Sequence, residues 1–262
     1  MTTRTHIPHG APTWMDLWTS DVDAARRFYT TVFAWEALEP APEFGGYFQF
    51  AHRGSPVAGA MGDMGDAAAD NTWKPYFHTD DIATAAAAVA ANGGTAHFDP
   101  MAVADLGTQF VFSDPSGAVA GAWQPGTFGG FTELGVDGTP SWFELHTTDH
   151  AGSLDFYRAV FGWDYDVVSD TDDFRYTLVR DADGGAEAGG VAGIMDNRRD
   201  LAPGEAAFWR MYLESDDIDA TIVAATGRGG TVIHPAEDTP YGRLAVITDA
   251  TGARFGLRSS PS

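Results

Sequence analysis

The chain has 262 residues, 44% of them hydrophobic, with a formal net charge of −22, a pI of about 4.4 and no cysteine. This acidity argues against nucleic acid or an anionic membrane surface as a partner, because both need clustered cations. The missing cysteines exclude disulfides, thiolate nucleophiles and sulfur-ligated metals. No run of about 18 apolar residues offers a membrane span. The N-terminal MTTRTHIPHGAP has no apolar stretch after Arg4, so the chain reads as a cytoplasmic protein without a secretory signal.

Much of the sequence is written twice. PTWMDLWTSDVDAARRFYTTVFAW, residues 12–35, returns within TPSWFELHTTDHAGSLDFYRAVFGWDY, residues 139–165. At a constant offset of 128 residues Trp14 falls on Trp142, Asp16 on Glu144, Asp21 on Asp149, Phe28 and Tyr29 on Phe156 and Tyr157, and Trp35 on Trp163. A self-match of this length predicts two modules of about 130 residues, here 1–125 and 139–262 with a linker over 126–138.

Residues 12–19 alternate, with Met15, Leu17 and Thr19 on one face and Trp14, Asp16 and Trp18 on the other, the period of a strand. Asp21 then stands as N-cap to a helix whose Ala25, Phe28, Tyr29, Val32 and Phe33 recur at three- and four-residue spacing. Strands follow around 35–39, 47–52 and 57–61, and the small polar stretch 62–72 links to a second half-unit. There, 73–79 reads as a strand, Asp80 and Asp81 cap a helix over 82–91, and Gly93-Gly94 close it. Strands around 95–98, 108–113 and 119–123 complete the half-unit, with a DPSG turn at 114–117. Each module is therefore two βαβββ units. The second module repeats the order, with strands over 163–169, 174–180 and 190–195, and a longer loop over 181–188 that widens the offset to 134–136. The linker carries Phe128, Phe131 and Leu134, so it is expected to pack across the body.

Four βαβββ units in two modules, with D-x-x-x-A-x-x-FY-x-x-x-F-x-W after the first strand and DPSG before the last, resemble the vicinal oxygen chelate superfamily. That superfamily holds glyoxalases, bleomycin-resistance proteins and extradiol dioxygenases. The two-module length, the paired Trp-x-Asp/Glu strands and the VAGxM strand are most similar to an actinobacterial group described as hydroxylase-like proteins or glyoxalase-like antigens. The resemblance implies an α+β fold of two tandem modules with curved mixed sheets around cavities. In metal-using members, ligands sit on the inward faces of the first strand, the strand opening the second half-unit and the last strand. Those positions fall on Trp14, Lys74 and Gly121 in one module and on Trp142, Arg210 and Gly256 in the other. None of these side chains ligates a divalent cation, so the expectation is no metal and no other cofactor at the family positions.

Strand alternation extends the inward faces to Asp16, Trp18, Tyr76, His78, Val119 and Trp123 in the first module, and to Glu144, His146, Tyr212, Glu214, Arg254 and Arg258 in the second. Trp14, Trp18, Trp123 and Trp142 offer flat faces for a planar aromatic ligand, or serve as ordinary core. Tyr76, Arg210, Tyr212 and Glu214 join them as ligand-binding candidates. Glu144 and His146 lie two apart on one strand face and can act as carboxylate and imidazole of an acid–base pair, with Asp16 and His78 as the other catalytic candidates. Two alternatives stay open: Glu144 pairs with Arg210 and Asp16 with Lys74, or His78, His146, Glu144, Glu214 and Asp16 build a relocated metal site. No GxSxG elbow, phosphate-binding loop or dinucleotide fingerprint is present.

The expected function is acid–base tailoring of a planar aromatic small molecule without a metal. A sequestering, antibiotic-binding protein is the alternative, and a glyoxalase-type isomerase the third reading. A monomer suffices for four half-units, and a homodimer is open.

Overall fold

The computed structural model describes residues 6–62, 70–180, 190–199, 201 and 204–259. The link over 63–69 and the long loop over 181–188 lie outside the described residues. The first module runs β1 (Pro12–Trp18), α1 (Val22–Val32), β2 (Glu36–Ala37), β3 (Phe48–His52), β4 (Ser55–Met61), β5 (Thr72–His78), α2 (Ile82–Ala91), β6 (Thr95–Ala96), β7 (Met101–Val103), β8 (Gly107–Ser113) and β9 (Val119–Pro125). The second runs β10 (Pro140–Thr147), α3 (His150–Phe161), β11 (Asp164–Asp170), β12 (Arg175–Arg180), β13 (Ala192–Asp196), β14 (Phe208–Glu214), α4 (Ile218–Thr226), β15 (Val232–Thr239), β16 (Gly242–Thr248) and β17 (Arg254–Ser259). Each module is one mixed sheet, ordered β2-β3-β4-β1-β5-β9-β8-β6 with β7 on β8, and β11-β12-β13-β10-β14-β17-β16-β15. Neither closes into a barrel. The short β7 has no counterpart in the sequence reading: it pairs with β8 through Met101 and Gln109, and three residues are too few to show a period.

The half-units join by antiparallel pairing of β1 with β5 and of β10 with β14. Asp16 thereby stands opposite Lys74, and Glu144 opposite Arg210. All four helices start at an aspartate whose carboxylate accepts from a first-turn backbone N–H: Asp21, Asp81, Asp149 and Asp217. A cap of this kind contributes about 1 kcal/mol.

The faces that carry Phe28, Tyr29, Phe77, Phe156, Tyr157 and Trp209 meet between the modules. Phe77 lies 5.0 Å from Trp209 and 5.2 Å from Trp163. α1 packs on α4, and α2 on α3. Tyr29 of the first module donates to Asp249 Oδ2 of the second at 3.1 Å and accepts from Trp73 Nε1 at 3.0 Å. Its repeat partner does the converse, Tyr157 donating to Asp114 Oδ2 at 3.2 Å and accepting from Trp209 Nε1 at 2.9 Å. The other carboxylate oxygen of Asp114 accepts from the backbone of Ser116 and Ala118, and that of Asp249 from Thr251 and Ala253. Trp35 and Trp163 also cross the seam, donating to the carbonyls of Gly138 and Gly10. The repeated FY and Trp positions and the DPSG-type turns are thus one interface, built twice.

Tyr157→Phe leaves the indole N–H of Trp209 and one oxygen of Asp114 buried without this partner. A loss of about 1–3 kcal/mol in urea unfolding at pH 7 is expected, with Tyr29→Phe giving a similar loss at the opposite arm.

Candidate functional site

With one face of each sheet spent on the seam, the other carries the alternate residues of β1, β5 and β9, or of β10, β14 and β17. Both faces centre on a carboxylate. Asp16 Oδ1 accepts from Tyr47 Oη and Trp14 Nε1, each at 2.9 Å, and Tyr76 also donates to this carboxylate. Glu144 Oε2 accepts from Tyr176 Oη at 2.9 Å and its Oε1 from Tyr212 Oη at 3.1 Å, while Trp142 Nε1 donates to Tyr176 Oη at 2.9 Å. His146 Nε2 lies 2.8 Å from Glu144 Oε1.

Glycine makes room for the tyrosines. A Cβ on Gly59 or Gly193 would strike the hydroxyl of Tyr47 or Tyr176, and one on Gly121 or Gly256 would strike the ring of Tyr76 or Tyr212. Gly121 and Gly256, positions where the resembled family places a metal ligand, are here the floor under a tyrosine. Tyr47 and Tyr176 were not among the candidates. They recur in the two modules, but at an offset of 129, one residue out of step with Trp14 and Trp142.

The surroundings then diverge. Burial raises Asp16 to about 6 despite its three donors and the charge of Lys74. Burial also presses on Glu144, yet the hydrogen bond and charge of His146, with the charge of Arg210 and the bond from Tyr176, carry it down to about 2. Lys74 is occupied elsewhere: its Nζ lies 2.8 Å from Asp70, 2.6 Å from Thr72 Oγ1 and 4.1 Å from the centre of the Trp18 ring.

The pairing alternative therefore takes a different form from the one expected. Lys74 acts on Asp16 through charge, with Asp70 as its direct partner, and Glu144 has His146 as direct partner. His78 is not brought to Asp16. It sits at the far end of β5, its Nδ1 3.2 Å from Pro8 O and its Nε2 3.6 Å from Asp80. His146 does meet Glu144, and its ring is 3% exposed and stacked at 4.8 Å on Phe208.

The two faces also differ in cover. The linker lies over the first: Phe128 meets Trp14 edge-on at 4.9 Å and Trp123 at 6.2 Å, its carbonyl accepts from Trp123 Nε1 at 2.9 Å, and Phe131 bonds to Thr13. Trp14 is 5% and Trp123 8% exposed. In the second module Trp142 is half-buried, and among the described residues its ring meets the Arg258 guanidinium, at 5.8 Å, and no aromatic ring. Glu214, buried, stands beside Arg258 in register. A cleft of about 370 Å³ opens where β5 and β14 begin, lined among others by Lys74, Phe208, Trp209, Arg210 and Arg254.

Comparison with known proteins fits this architecture. The family model described as Glyoxalase/Bleomycin resistance protein/Dioxygenase superfamily matches residues 7–120 and again 139–257. The chain belongs to this superfamily. It is 32% identical over 262 residues to CFP32 of Mycobacterium tuberculosis (strain CDC 1551 / Oshkosh), whose name marks it as a glyoxylase candidate, covering 98% of this chain and 97% of that one. It is 32% identical over 270 residues to the anthracycline biosynthesis protein DauV of Streptomyces sp. (strain C5), covering 97% and 94%. Among solved structures, the Mn(II)-bound glyoxalase from Novosphingobium aromaticivorans superposes with a TM-score of 0.66 at 18% identity, over 96% of this chain and 82% of that one.

The Mn(II) in that neighbour, on the same architecture, corrects the expectation of a chain without a cofactor. The 2,3-dioxygenase LapB from Pseudomonas sp. KL28 shares the fold (TM-score 0.65, 12% identity, covering 98% and 94%). That expectation rested on the family positions, with a relocated site of His78, His146, Glu144, Glu214 and Asp16 left open, and residue types at six positions do not decide which cofactor a chain takes. The fit of this chain to a metal is a separate matter. Indole, lysine, arginine and glycine fill the six positions, Lys74 and Arg210 bring positive charge, and among the described residues no three His, Asp or Glu side chains cluster as a metal site. These side chains do not fit a divalent ion. Among the described residues no helix is long and apolar enough to cross a membrane.

Asp16 supplies a test of the buried carboxylate. A folded value near 6, above the ordinary aspartate value of 3.8, means that its contribution to stability is fully present below about pH 3.8 and is lost as pH rises through about 6. Asp16→Asn should therefore gain on the wild type by about 2–3 kcal/mol between pH 4 and pH 7 in paired urea titrations. A gap that does not change with pH would mean that Asp16 titrates as an ordinary carboxylate.

Proposed function

We propose that the chain performs a tailoring step on a planar aromatic small molecule by proton transfer, and that the second module's open face is where it does so. The observation that carries this reading is the Glu144 carboxylate, fixed by Tyr176, Tyr212 and His146 beside the half-buried Trp142. The anthracycline biosynthesis protein DauV, similar over 97% of the chain, supports a polycyclic aromatic substrate.

Trp142 provides the stacking surface, and such a contact contributes about 0.5–1.5 kcal/mol beyond burial. Glu144 is ionised at neutral pH and accepts a proton from an acidic C–H or O–H of the bound molecule. His146 and Arg210 balance the charge of the carboxylate before transfer, and the tyrosines hold its oxygens in place. Return of the proton to a different atom completes an isomerisation, and its delivery to a leaving group completes a ring opening. Neither consumes an external oxidant. A ligand that covers Glu144 completes its desolvation, which raises its affinity for the proton at the moment of transfer.

One observation favours a second reading. A carboxylate held at about 2 is a stable anion and a weak base, which suits a protein that binds and sequesters its ligand. Incubation with polycyclic aromatic ketones in deuterated water separates the two. Proton transfer puts deuterium into the recovered molecule, with Glu144→Gln lowering the rate by about 100-fold or more. Tight binding with recovery of unlabelled ketone supports sequestration and sinks the catalytic reading.

The pH profile distinguishes the modules. With Glu144 as base, kcat/KM stays flat on the acid side down to about pH 4, because the group is already ionised there. With Asp16 as base, it falls below about pH 6.

A further inference from the structure

The two open faces are built from matched positions, so their differences show what the second has been adapted to bind. Resting on the reading of the second module as the working face, we propose that its ligand is an aromatic anion, such as an aromatic carboxylate or phenolate, held by Trp142 and by arginines at positions 210, 254 and 258.

The first module supplies an internal example of how such a face takes an aromatic ring. Phe128 of the linker sits edge-on to Trp14 and Trp123 beside the Asp16 carboxylate. The repeat carries Trp14 to Trp142 and Asp16 to Glu144 unchanged in character, but it carries Trp123 to Arg258 and Val119 to Arg254. A ring docked at Trp142 therefore finds a guanidinium where Phe128 finds an indole. The Arg258 guanidinium is 5.8 Å from the Trp142 ring, and among the described residues neither Arg258 nor Arg254 is in a salt bridge.

The third change concerns Lys74, whose counterpart is Arg210. Lys74 is bound by Asp70, but the residue matching Asp70 is Ala206. Arg210 Nε is buried without a hydrogen-bond partner among the described residues. Its charge acts on Glu144, and its side chain lines the 370 Å³ cleft together with Arg254.

The acidic groups on these strands are Glu144 and Glu214, and Asp70 and Glu205 line the cleft beside Arg210 and Arg254, with Asp70 held by Lys74. Glu144 is already hydrogen-bonded by two tyrosines and paired with His146. Arg254 and Arg258, outside any salt bridge among the described residues in a chain of net charge −22, mark a place where a negative group is wanted. Planar guanidinium forks suit a carboxylate or phenolate oxygen, and arginine's contact with an aromatic plane is the weaker of its two modes at an exposed site.

Anthracene-9-carboxylate and its neutral analogue 9-anthracenemethanol test this by calorimetric titration in 0.15 M salt, where the Debye length of about 8 Å screens the chain's overall charge. The carboxylate is expected to bind about tenfold or more tightly than the alcohol. Arg258→Gln and Arg254→Gln, both partly or fully exposed positions, are each expected to weaken the carboxylate about 5- to 30-fold, as loss of a charge-assisted bond does, and to leave the alcohol within about twofold. Equal affinity for the two probes, indifference of the carboxylate to both substitutions, or binding of neither probe overturns the proposal. Trp142→Leu separates its failure from that of the functional reading. If Trp142→Leu weakens both probes while the arginine variants change nothing, the aromatic face stands and the anion falls. If Trp142→Leu changes neither probe, the second module is not the aromatic site and both fall.

Discussion

A tyrosine hydroxyl held between an indole N–H of its own module and an aspartate of the other is the bond on which this molecule's form depends. Tyr29 and Tyr157 each make it, with Asp249 and Asp114 as acceptors. Each aspartate must reach two ways at once. One oxygen closes its own turn by accepting backbone N–H groups, and the other leaves the module. Burial raises Asp114 to about 6, so its ionised form is costly, and the donated hydroxyl and turn N–H groups offset part of that cost. The turn and the seam consequently stabilise each other, because losing either strips the same carboxylate of donors.

Committing one face of each sheet to this seam dictates where chemistry can occur. An aromatic surface that would otherwise face water is consumed between the modules, and the opposite faces remain for a ligand. Duplication then gives two such faces, and the linker breaks their equivalence. By laying Phe128 on Trp14 and Trp123 it converts one face into core. The acidic residue at its centre survives there as a buried carboxylate with satisfied hydrogen bonds, while the second face keeps its tryptophan half-buried.

Much of this was legible in the sequence because it is local or periodic. The aspartate caps, the amphipathic helix around Tyr29 and the alternation that sets Trp14, Asp16 and Trp18 on one face each depend on residues within a few positions of one another. The destination of Tyr29 was not legible, since Asp249 lies 220 residues away and nothing nearby distinguishes a tyrosine that packs from one that also bonds across a seam. The linker's aromatic residues announced that it packs, yet not which face it would cover. Tyr47 and Tyr176 were missed because their importance comes from reach: a side chain from a neighbouring strand crosses a glycine to meet the carboxylate. His78 was placed with Asp16 by face alone, although four residues along a strand separate it from Lys74, the residue opposite Asp16, by about 13 Å.

The two carboxylates show how little of a group's chemistry is fixed by its position in a fold. Both occupy the same place on matching strands, Asp16 buried and Glu144 nearly so, and both accept from a pair of tyrosines over a glycine floor. One is nevertheless raised to about 6 and the other lowered to about 2. Burial acts on both in the same direction, so the difference must come from the cations. Lys74 spends its charge on Asp70 and its apolar approach on Trp18, leaving Asp16 only an indirect counter-charge. Where Trp18 stands in the first module, the second has His146, which bonds to the carboxylate directly, and where Asp70 would divert the cation it has Ala206. Two substitutions at neighbouring positions thus decide whether the same site gains its proton near pH 6 or stays an anion to much lower pH. The fold supplies the donors, and the choice between acid and base rests with residues that alternation places on the face but cannot assign a partner.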